Sequence, residues 1–306
     1  MARFGSVLTA MATPFADDLS LDVDGAVTLA RWLADNGSDG LVIAGTTGES
    51  PTLTVPEHLE LARAVCEAVT VPVLVGTGSN DTAHAAEMTA TVTGFGAAGI
   101  LLVAPYYNRP SQAGLEAHFT ALAAATELPV MLYDIPVRTG RKVATETLVR
   151  LARDVPNIVA VKDAAGSPAE SARLVAAAGD GFELYSGDDN QTLPLLAVGA
   201  VGVVSVAAHW AGPVFADMVS AFECGDHAAA RAANAALFDS CAFESSDDAP
   251  NPVPTKCMLR VLGLPGGPPR PPMGPEPDGL EDRARRVLAG LRESGALPAG
   301  APEVAT

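Results

Sequence analysis

The sequence predicts an α/β fold: a (β/α)8 TIM barrel of eight parallel strands, each followed by a helix, with a C-terminal helical extension. Short apolar runs of the kind found in buried strands alternate with amphipathic helical patterns along most of the chain. Eight such units at roughly 20–30-residue spacing are the number that closes a barrel of about 250 residues. An open doubly wound sheet is the alternative, but no G-x-G-x-x-G phosphate turn follows an early strand, and Gly76-Thr77-Gly78 is only a fragment of one.

The apolar runs give the order of the eight strands. They lie near residues 6–11, 40–45, 71–76, 99–104, 129–134, 158–163, 182–186 and 202–206. The helices between and after them are predicted near residues 22–36, 56–69, 81–94, 111–125, 145–154, 167–178, 189–198 and 213–223. The stretch Thr54-Val55-Pro56-Glu57 is a helix-start signal, because a capping hydroxyl precedes a proline and an acidic residue. Gly94 and Gly179 mark helix ends.

Three more helical patterns follow the eighth unit, near residues 227–244, 251–262 and 279–294. A stretch rich in proline and glycine, from Leu264 to Gly279, separates the last two. We therefore predict a barrel over residues 1–224, a helical extension over residues 225–296 and a flexible tail over residues 297–306.

Composition restricts the classes of partner. The 306 residues are 48% hydrophobic, which is enough for a sizeable core. The net charge of −17 makes nucleic acid and anionic membrane surfaces poor partners. The four cysteines have no metal-like spacing and suit reduced thiols of a cytoplasmic protein, and the N-terminal residues resemble neither a signal peptide nor a membrane span.

Lys162 is the most informative residue, because it ends the apolar run Ile158-Val159-Ala160-Val161. Burial disfavours an ammonium, so its pKa should fall below the solution value of about 10.4. A neutral amine is a nucleophile that forms a Schiff base with a carbonyl. The alternative is a strand-end lysine that reaches water. Taken alone, this segment favours a strand-end lysine that reaches water. The residues that follow the other strands favour the buried nucleophile instead.

Barrel active sites are built from the residues that follow the strands. Thr46 and Thr47 lie between two glycines after the second strand, where their hydroxyls and the backbone N–H groups suit a carboxylate. A turn with local side-chain-to-backbone hydrogen bonds explains them equally well. Tyr133 ends the fifth strand and could relay protons if another hydroxyl positions it, although packing at the barrel rim is the alternative.

Arg138 follows the fifth strand in a loop and could bind a substrate carboxylate through two parallel hydrogen bonds. A surface arginine, or a structural ion pair with Asp134 or Glu49, is the alternative. Three of the four tyrosines in the chain, Tyr106, Tyr107 and Tyr133, lie at the end of a predicted strand or in the segment that follows one. A purely structural role does not explain this clustering.

The residues give little support for a metal site. The five histidines are far apart in the sequence: His58, His84, His118, His209 and His227. Asp188-Asp189 could suggest a metal, but a helix N-cap is a simpler interpretation. No Ser-His-Asp arrangement stands out, and we expect no metal and no cofactor.

Several motifs together resemble the dihydrodipicolinate synthase family, within the pyruvate-dependent class I aldolases. The motifs are Gly45-Thr46-Thr47-Gly48-Glu49-Ser50, Pro105-Tyr106-Tyr107-Asn108-Arg109-Pro110, Tyr133-x-x-Pro136-x-Arg138-Thr139-Gly140, Val161-Lys162-Asp163 and Asn251-Pro252-Val253-Pro254-Thr255-Lys256. Their order and spacing hold from about residue 3 to residue 295. The resemblance implies a homotetramer and a lyase that condenses pyruvate with aspartate semialdehyde in lysine and diaminopimelate biosynthesis.

The resemblance also implies a role for each site residue. Lys162 would form the imine with the pyruvate keto group. Thr47 would bind the pyruvate carboxylate, helped by the backbone at Val204. Tyr133, Thr46 and Tyr107 would form a proton relay, with Tyr107 reaching in from a neighbouring subunit. Arg138 would meet the carboxylate of the semialdehyde.

Two departures from the family pattern affect these expectations. The pocket through which lysine inhibits some members is matched here by Ser50, His58, Asn80 and Tyr106. It is not matched at Val55, where a histidine or lysine is often found, or at His84, where a glutamate would be. An imidazole removes the counter-charge for an ammonium ligand, so we predict weak or absent inhibition by lysine. Beside Tyr133, Asp134 and Val137 stand where asparagine and serine are more usual, which weakens the assignment of the aldehyde substrate.

Two other functions remain open at this point. A related pyruvate aldolase could act on a sugar acid such as N-acetylneuraminate or a 2-keto-3-deoxy acid, although Arg138 argues against a polyol chain. A barrel that binds a keto acid without turnover is the second, although the full set of Lys162, Tyr133, Thr46 and Tyr107 argues against a decayed site.

Overall fold

The computed structural model describes residues 2–297, and in them eight parallel strands form one closed barrel in chain order. The strands are β1 (Val7–Ala10), β2 (Gly40–Ile43), β3 (Val73–Gly76), β4 (Gly99–Val103), β5 (Val130–Asp134), β6 (Ile158–Asp163), β7 (Glu183–Ser186) and β8 (Gly202–Ser205). The barrel closes because β1 pairs with both β2 and β8. This confirms the predicted fold class.

Helices surround the barrel. They are α1 (Val23–Asp35), α2 (Val55–Ala68), α3 (Thr82–Val92), α4 (Gln112–Ala123), α5 (Pro136–Thr139), α6 (Thr145–Asp154), α7 (Pro168–Ala178), α8 (Thr192–Leu196) and α9 (Ala208–Glu223). The predicted start of α2 is a complete capping box, in which Thr54 Oγ1 accepts from the Glu57 N–H while the Glu57 carboxylate accepts from the Thr54 N–H at 2.8 Å.

Helix α9 begins five residues before the predicted start at Pro213. Proline lacks a backbone N–H and fits the first turn of a helix, which is why the sequence favours a start there. In the structure Pro213 lies inside the helix, and Ala211 leaves the helical conformation with φ −121° and ψ 20°. The helix therefore continues across a kink that the proline explains.

The interior of the barrel is a compact apolar cluster. Its members come from the inward-facing positions of the strands and include Leu8, Val42, Leu74, Leu101, Met131, Ala160, Tyr185 and Val204. A second, larger cluster fills the layer between the strands and helices α1 to α7. Tyr133 on β5 and Lys162 on β6 are direct register partners, so they lie at the same level of the barrel.

The C-terminal extension packs against the closing strands. It consists of α10 (His227–Ala236), α11 (Phe238–Phe243), α12 (Val253–Val261) and α13 (Leu280–Glu293). The pattern predicted as one helix over residues 227–244 is thus two helices that meet at buried Leu237. Val7 and Val203 of the barrel share one apolar cluster with Phe215, Met258 and Leu288. Leu297 is buried in that cluster, and residues 298–306 of the predicted tail lie outside the described residues.

Within residues 2–297, we find no helix long and apolar enough to cross a membrane.

Candidate active site

A cavity of about 230 Å³ opens at the carboxyl ends of strands β2 to β5. Thr46, Tyr106, Tyr133 and Arg138 contribute polar groups to its wall, and Leu101, Val103 and Ile135 contribute apolar ones. Three of the residues predicted to be catalytic or substrate-binding, Thr46, Tyr133 and Arg138, therefore share one cavity at the end of the barrel where active sites of this fold lie.

Lys162 lies beside this cavity. Its Nζ is 4.3 Å from the centroid of the Tyr133 ring, and its side chain is only 5% exposed. Gly187 makes room for it, because a β-carbon at that position would stand 2.8 Å from Lys162 Cγ. Lys162 therefore does not reach water as the alternative interpretation required.

Burial lowers the pKa of Lys162 to about 8. The carboxylates of Asp189 and Glu244 oppose that effect, and the guanidinium of Arg138 adds to it. At pH 7 roughly a tenth of this amine is thus uncharged and nucleophilic, far more than for a solvated lysine. Lys256 has a similarly lowered pKa of about 8, but its Nζ is 2.6 Å from Glu49 Oε1 and is held in a fully buried ion pair. A lowered pKa alone therefore does not single out the nucleophile.

Tyr133 is almost completely buried, and burial raises the pKa of its phenol to about 12. The positive charge of Arg138 and a hydrogen bond with the Thr46 side chain act in the opposite direction. The phenol is therefore protonated at neutral pH and linked to a second hydroxyl. This is the arrangement that a hydroxyl relay needs.

Thr47 is also buried, and a residue of the C-terminal extension holds it. Asn251 Nδ2 donates to Thr47 Oγ1 at 2.9 Å, while Asn251 Oδ1 accepts from Thr255 Oγ1 at 3.2 Å. The Thr47 hydroxyl can still donate its own proton to a ligand. Val204 lies in β8 inside the barrel, two strands away from Lys162.

Tyr107 lies apart from the other predicted residues. Its side chain is 91% exposed, and its backbone has φ 69°, a left-handed conformation that non-glycine residues seldom adopt. The isolated chain does not bring Tyr107 to Lys162. Its expected contribution to a neighbouring subunit stays a prediction.

The two acids proposed as alternative partners of Arg138 bind lysines instead. Asp134 faces outward from β5, where Lys142 Nζ lies 3.2 Å from its Oδ2 and the Val143 N–H donates to its Oδ1 at 3.1 Å. Glu49 pairs with Lys256. Arg138 is therefore available at the cavity wall, and Asp134 does not bear on the choice of substrate.

A second cavity of about 160 Å³ adjoins the first. Ser50, His58, His84 and Tyr106 line it together with Val55, as expected for the predicted regulatory pocket. Asn80 is the exception, because its Nδ2 donates to Asn108 Oδ1 at 3.2 Å instead. Burial lowers the pKa of His58 to about 4, so this ring is neutral at physiological pH. Among the described residues that line this cavity, none is a carboxylate.

Two acids that raise the pKa of Lys162 were misread or missed from the sequence. Asp188 does cap the short helix that follows it, because its Oδ1 accepts from the Asn190 N–H at 3.0 Å. Asp189 instead turns inward, is 3% exposed and accepts from Ser205 Oγ at 2.9 Å. Glu244, which no sequence pattern singled out, is half-buried, and burial together with the charge of Asp189 raises its pKa well above the ordinary value.

Comparison with known proteins identifies a family. Residues 3–289 match the dihydrodipicolinate synthetase family. The chain is 48% identical to the 4-hydroxy-tetrahydrodipicolinate synthase of Moorella thermoacetica, over 96% of this chain and 100% of that protein. It is 50% identical to the enzyme of the same name from Acidothermus cellulolyticus, over 95% and 92% of the two chains. The crystal structure of dihydrodipicolinate synthase from Cyanidioschyzon merolae with lysine bound superposes with a TM-score of 0.92 at 43% identity, covering 97% of this chain and 100% of that one.

Proposed function

This chain belongs to the dihydrodipicolinate synthetase family, and we propose that it condenses pyruvate with L-aspartate 4-semialdehyde to give 4-hydroxy-tetrahydrodipicolinate. The reaction is that of a class I aldolase-type lyase and serves the synthesis of diaminopimelate and lysine. One observation carries the proposal: a buried amine with a lowered pKa, that of Lys162, lies against the Tyr133 ring at the carboxyl end of the barrel.

The chemistry begins at Lys162. Its neutral amine adds to the keto carbon of pyruvate, and a proton moves to the oxygen to give a carbinolamine. Loss of that oxygen as water leaves a C=N bond with a protonated nitrogen. The cationic nitrogen withdraws electrons, so loss of a methyl proton gives a neutral enamine. The enamine carbon attacks the aldehyde, the new alkoxide takes a proton, and the amine of the semialdehyde then displaces Lys162 on ring closure.

Several of these steps move protons, and Tyr133 is placed to carry them. Its phenol keeps its proton at neutral pH and is linked to Thr46, which supports a relay rather than a fixed charge. We propose that Tyr107 of a neighbouring subunit completes the relay. Its exposure and its unusual backbone conformation suit a side chain held out toward a partner. The working enzyme would then be a homotetramer, a dimer of tight dimers, in the cytoplasm.

Two carboxylates have to be bound in this reaction. Thr47, held by Asn251, has a free hydroxyl proton for the pyruvate carboxylate, and the backbone at Val204 lies inside the same barrel. Arg138 at the cavity wall suits the carboxylate of the semialdehyde. An arginine there favours this substrate over the uncharged polyol chain of a sugar acid.

Borohydride trapping combined with a turnover assay tests the proposal. Reduction in the presence of pyruvate should add a stable mass to the peptide that carries Lys162, and K162A should show none. The enzyme should then consume aspartate semialdehyde with pyruvate and leave N-acetylneuraminate and 2-keto-3-deoxy acids unchanged. Trapping without consumption of the semialdehyde would indicate a keto-acid binder, and cleavage of a sugar acid would indicate the related aldolase.

A further inference from the structure

Three buried side chains form a hydrogen-bonded chain from the C-terminal extension to the turn after β2. Thr255 Oγ1 donates to Asn251 Oδ1 at 3.2 Å, and Asn251 Nδ2 donates to Thr47 Oγ1 at 2.9 Å. Thr255 is fully buried, and Asn251 and Thr47 are almost so. Thr47 is proposed above to bind the carboxylate of pyruvate, so the residue that sets the direction of its hydroxyl proton also affects that binding.

The chain has a fixed polarity. A side-chain amide has one donor end and one acceptor end, whereas a hydroxyl can act as either. Because Thr255 donates to the oxygen of Asn251, the NH2 group of Asn251 faces Thr47, and the Thr47 oxygen accepts. The hydroxyl proton of Thr47 then points elsewhere, and no acceptor for it lies within hydrogen-bond distance among residues 2–297. A buried donor without an acceptor costs free energy, which a bound ligand would recover.

The backbone of the same turn offers further donors. The Glu49 N–H closes the turn by donating to the Thr46 carbonyl at 3.0 Å. The N–H groups of Thr46 and Thr47 themselves donate to no backbone carbonyl within the described part of the chain. The one carboxylate that follows in this loop, that of Glu49, is paired with Lys256 and does not compete for these donors. The turn therefore presents donors to a ligand that is itself an acceptor.

We propose that Asn251 is a positioning residue that makes the Thr47 hydroxyl an obligate donor, and that this polarity selects a ketone substrate with an anionic carboxylate. Thr255 fixes the amide of Asn251 in the orientation that this requires. The inference rests on the proposed function and deepens it, because it names the residue that determines which group of the ketone is recognised. An α-keto acid fits the turn, and a neutral α-keto ester does not.

The opposite polarity would repel the same ligand. If position 251 offered an acceptor, the Thr47 proton would turn toward it, and the lone pairs of the Thr47 oxygen would face the carboxylate. Aspartate has nearly the size of asparagine, and an ionised aspartate offers only acceptors. It can still accept from Thr255 through one oxygen while the other faces Thr47. N251D therefore reverses the polarity without opening a cavity.

Borohydride trapping at increasing pyruvate concentration tests the inference. N251D should raise the pyruvate concentration that half-saturates trapping by about tenfold to a hundredfold, the size of a lost hydrogen bond to a charged group. T255V, which frees the amide to flip, should raise it about threefold. The KM of aspartate semialdehyde at saturating pyruvate should stay within about twofold in both. The matched control is N234D, which adds the same charge to α10 of the extension and should bind pyruvate like the unsubstituted enzyme.

Two comparisons separate polarity from simple repulsion between aspartate and pyruvate. In a T47V background there is no hydroxyl to turn, so N251D should raise the half-saturating concentration by less than about twofold further. Repulsion would act equally with and without the hydroxyl. Methyl pyruvate has the same ketone and no negative charge, so N251D should change its half-saturating concentration by less than about threefold.

The inference is overturned if N251D changes the half-saturating concentration of pyruvate by less than about threefold, or if it has its full effect in the T47V background. An equal effect on methyl pyruvate, or an unchanged T255V, would overturn it as well. Poor folding of a variant lowers the trapped mass at every concentration and leaves the half-saturating concentration where it was, so these outcomes do not depend on yield. Failure of the unsubstituted enzyme to trap pyruvate would refute the proposed function instead.

Discussion

The buried amine of Lys162 should destabilise the folded protein, so K162M should be more stable than the unsubstituted enzyme. Methionine has nearly the same length and no charge, and it leaves no cavity. The substitution removes the nucleophile and the desolvation cost together. Stability and activity are therefore expected to change in opposite directions at this one position.

The magnitude follows from the pKa of Lys162, which is lowered from 10.5 to about 8. At about 1.4 kcal/mol per pKa unit, the amine costs about 3 kcal/mol of the free energy of unfolding at pH 7. Between pH 8 and 10.5 the unfolded chain binds this proton while the folded chain does not, so the stability of the unsubstituted enzyme rises with pH. The advantage of K162M should fall to about 2 kcal/mol at pH 9 and below about 1 kcal/mol at pH 10.

Urea unfolding at pH 7, 9 and 10, without pyruvate and at equal protomer concentration, measures this difference. K142M is the matched control. Burial alone would lower the pKa of Lys142, but the carboxylates of Asp134 and Glu170 together raise it. This lysine therefore stabilises the fold at every pH below its folded pKa. K142M should therefore be less stable than the unsubstituted enzyme at pH 7. If K162M were less stable at pH 7, or its advantage did not change with pH, the argument for a desolvated amine would be refuted.

Three further predictions concern the site. Y133F should fold normally but lose about 100-fold or more in kcat, because the relay loses its proton carrier, and a loss below about tenfold would contradict the relay. R138Q should raise the KM of aspartate semialdehyde and not that of pyruvate; it should also move the pH midpoint of imine trapping upward, because the guanidinium lowers the pKa of Lys162. Millimolar L-lysine should change the activity of the purified enzyme by less than about twofold, because the cavity beside His58 and His84 offers an ammonium no carboxylate among its described lining residues. Strong inhibition would refute that reading of the cavity.

The barrel could be predicted because its signals are local. Each strand is an apolar run, and each helix carries its own pattern and start signals, such as the capping box of Thr54 and Glu57. Topology then brings strand-end residues together, which is how Thr46, Tyr133 and Arg138 could be assigned to one cavity. The same alternation that turns Tyr133 inward turns Asp134 outward, so the position of Asp134 could have been inferred from the strand as well.

Contacts between distant segments could not be predicted in this way. Asn251 reaches Thr47 across 204 positions, and no periodicity or spacing connects the two. Glu244 lies after a short helix at the edge of the extension, where an acidic side chain is ordinarily solvated. Its partial burial, and the effect of Asp189 on its pKa, depend on how α11 packs on the barrel. Such pairings are set by tertiary packing, which a single sequence does not specify.

These distant contacts make the C-terminal helices part of the proposed active site. Asn251 holds the hydroxyl proposed to bind pyruvate, and Lys256 neutralises Glu49, which ends the same loop in a left-handed conformation with φ 53°. Without the ammonium of Lys256, Glu49 would be left as a buried carboxylate with no partner cation, and an unpaired buried charge costs several kcal/mol. The loop would then relax and carry Thr46 and Thr47 with it. The barrel supplies the proposed nucleophile Lys162, and the extension holds the loop that is proposed to bind its substrate.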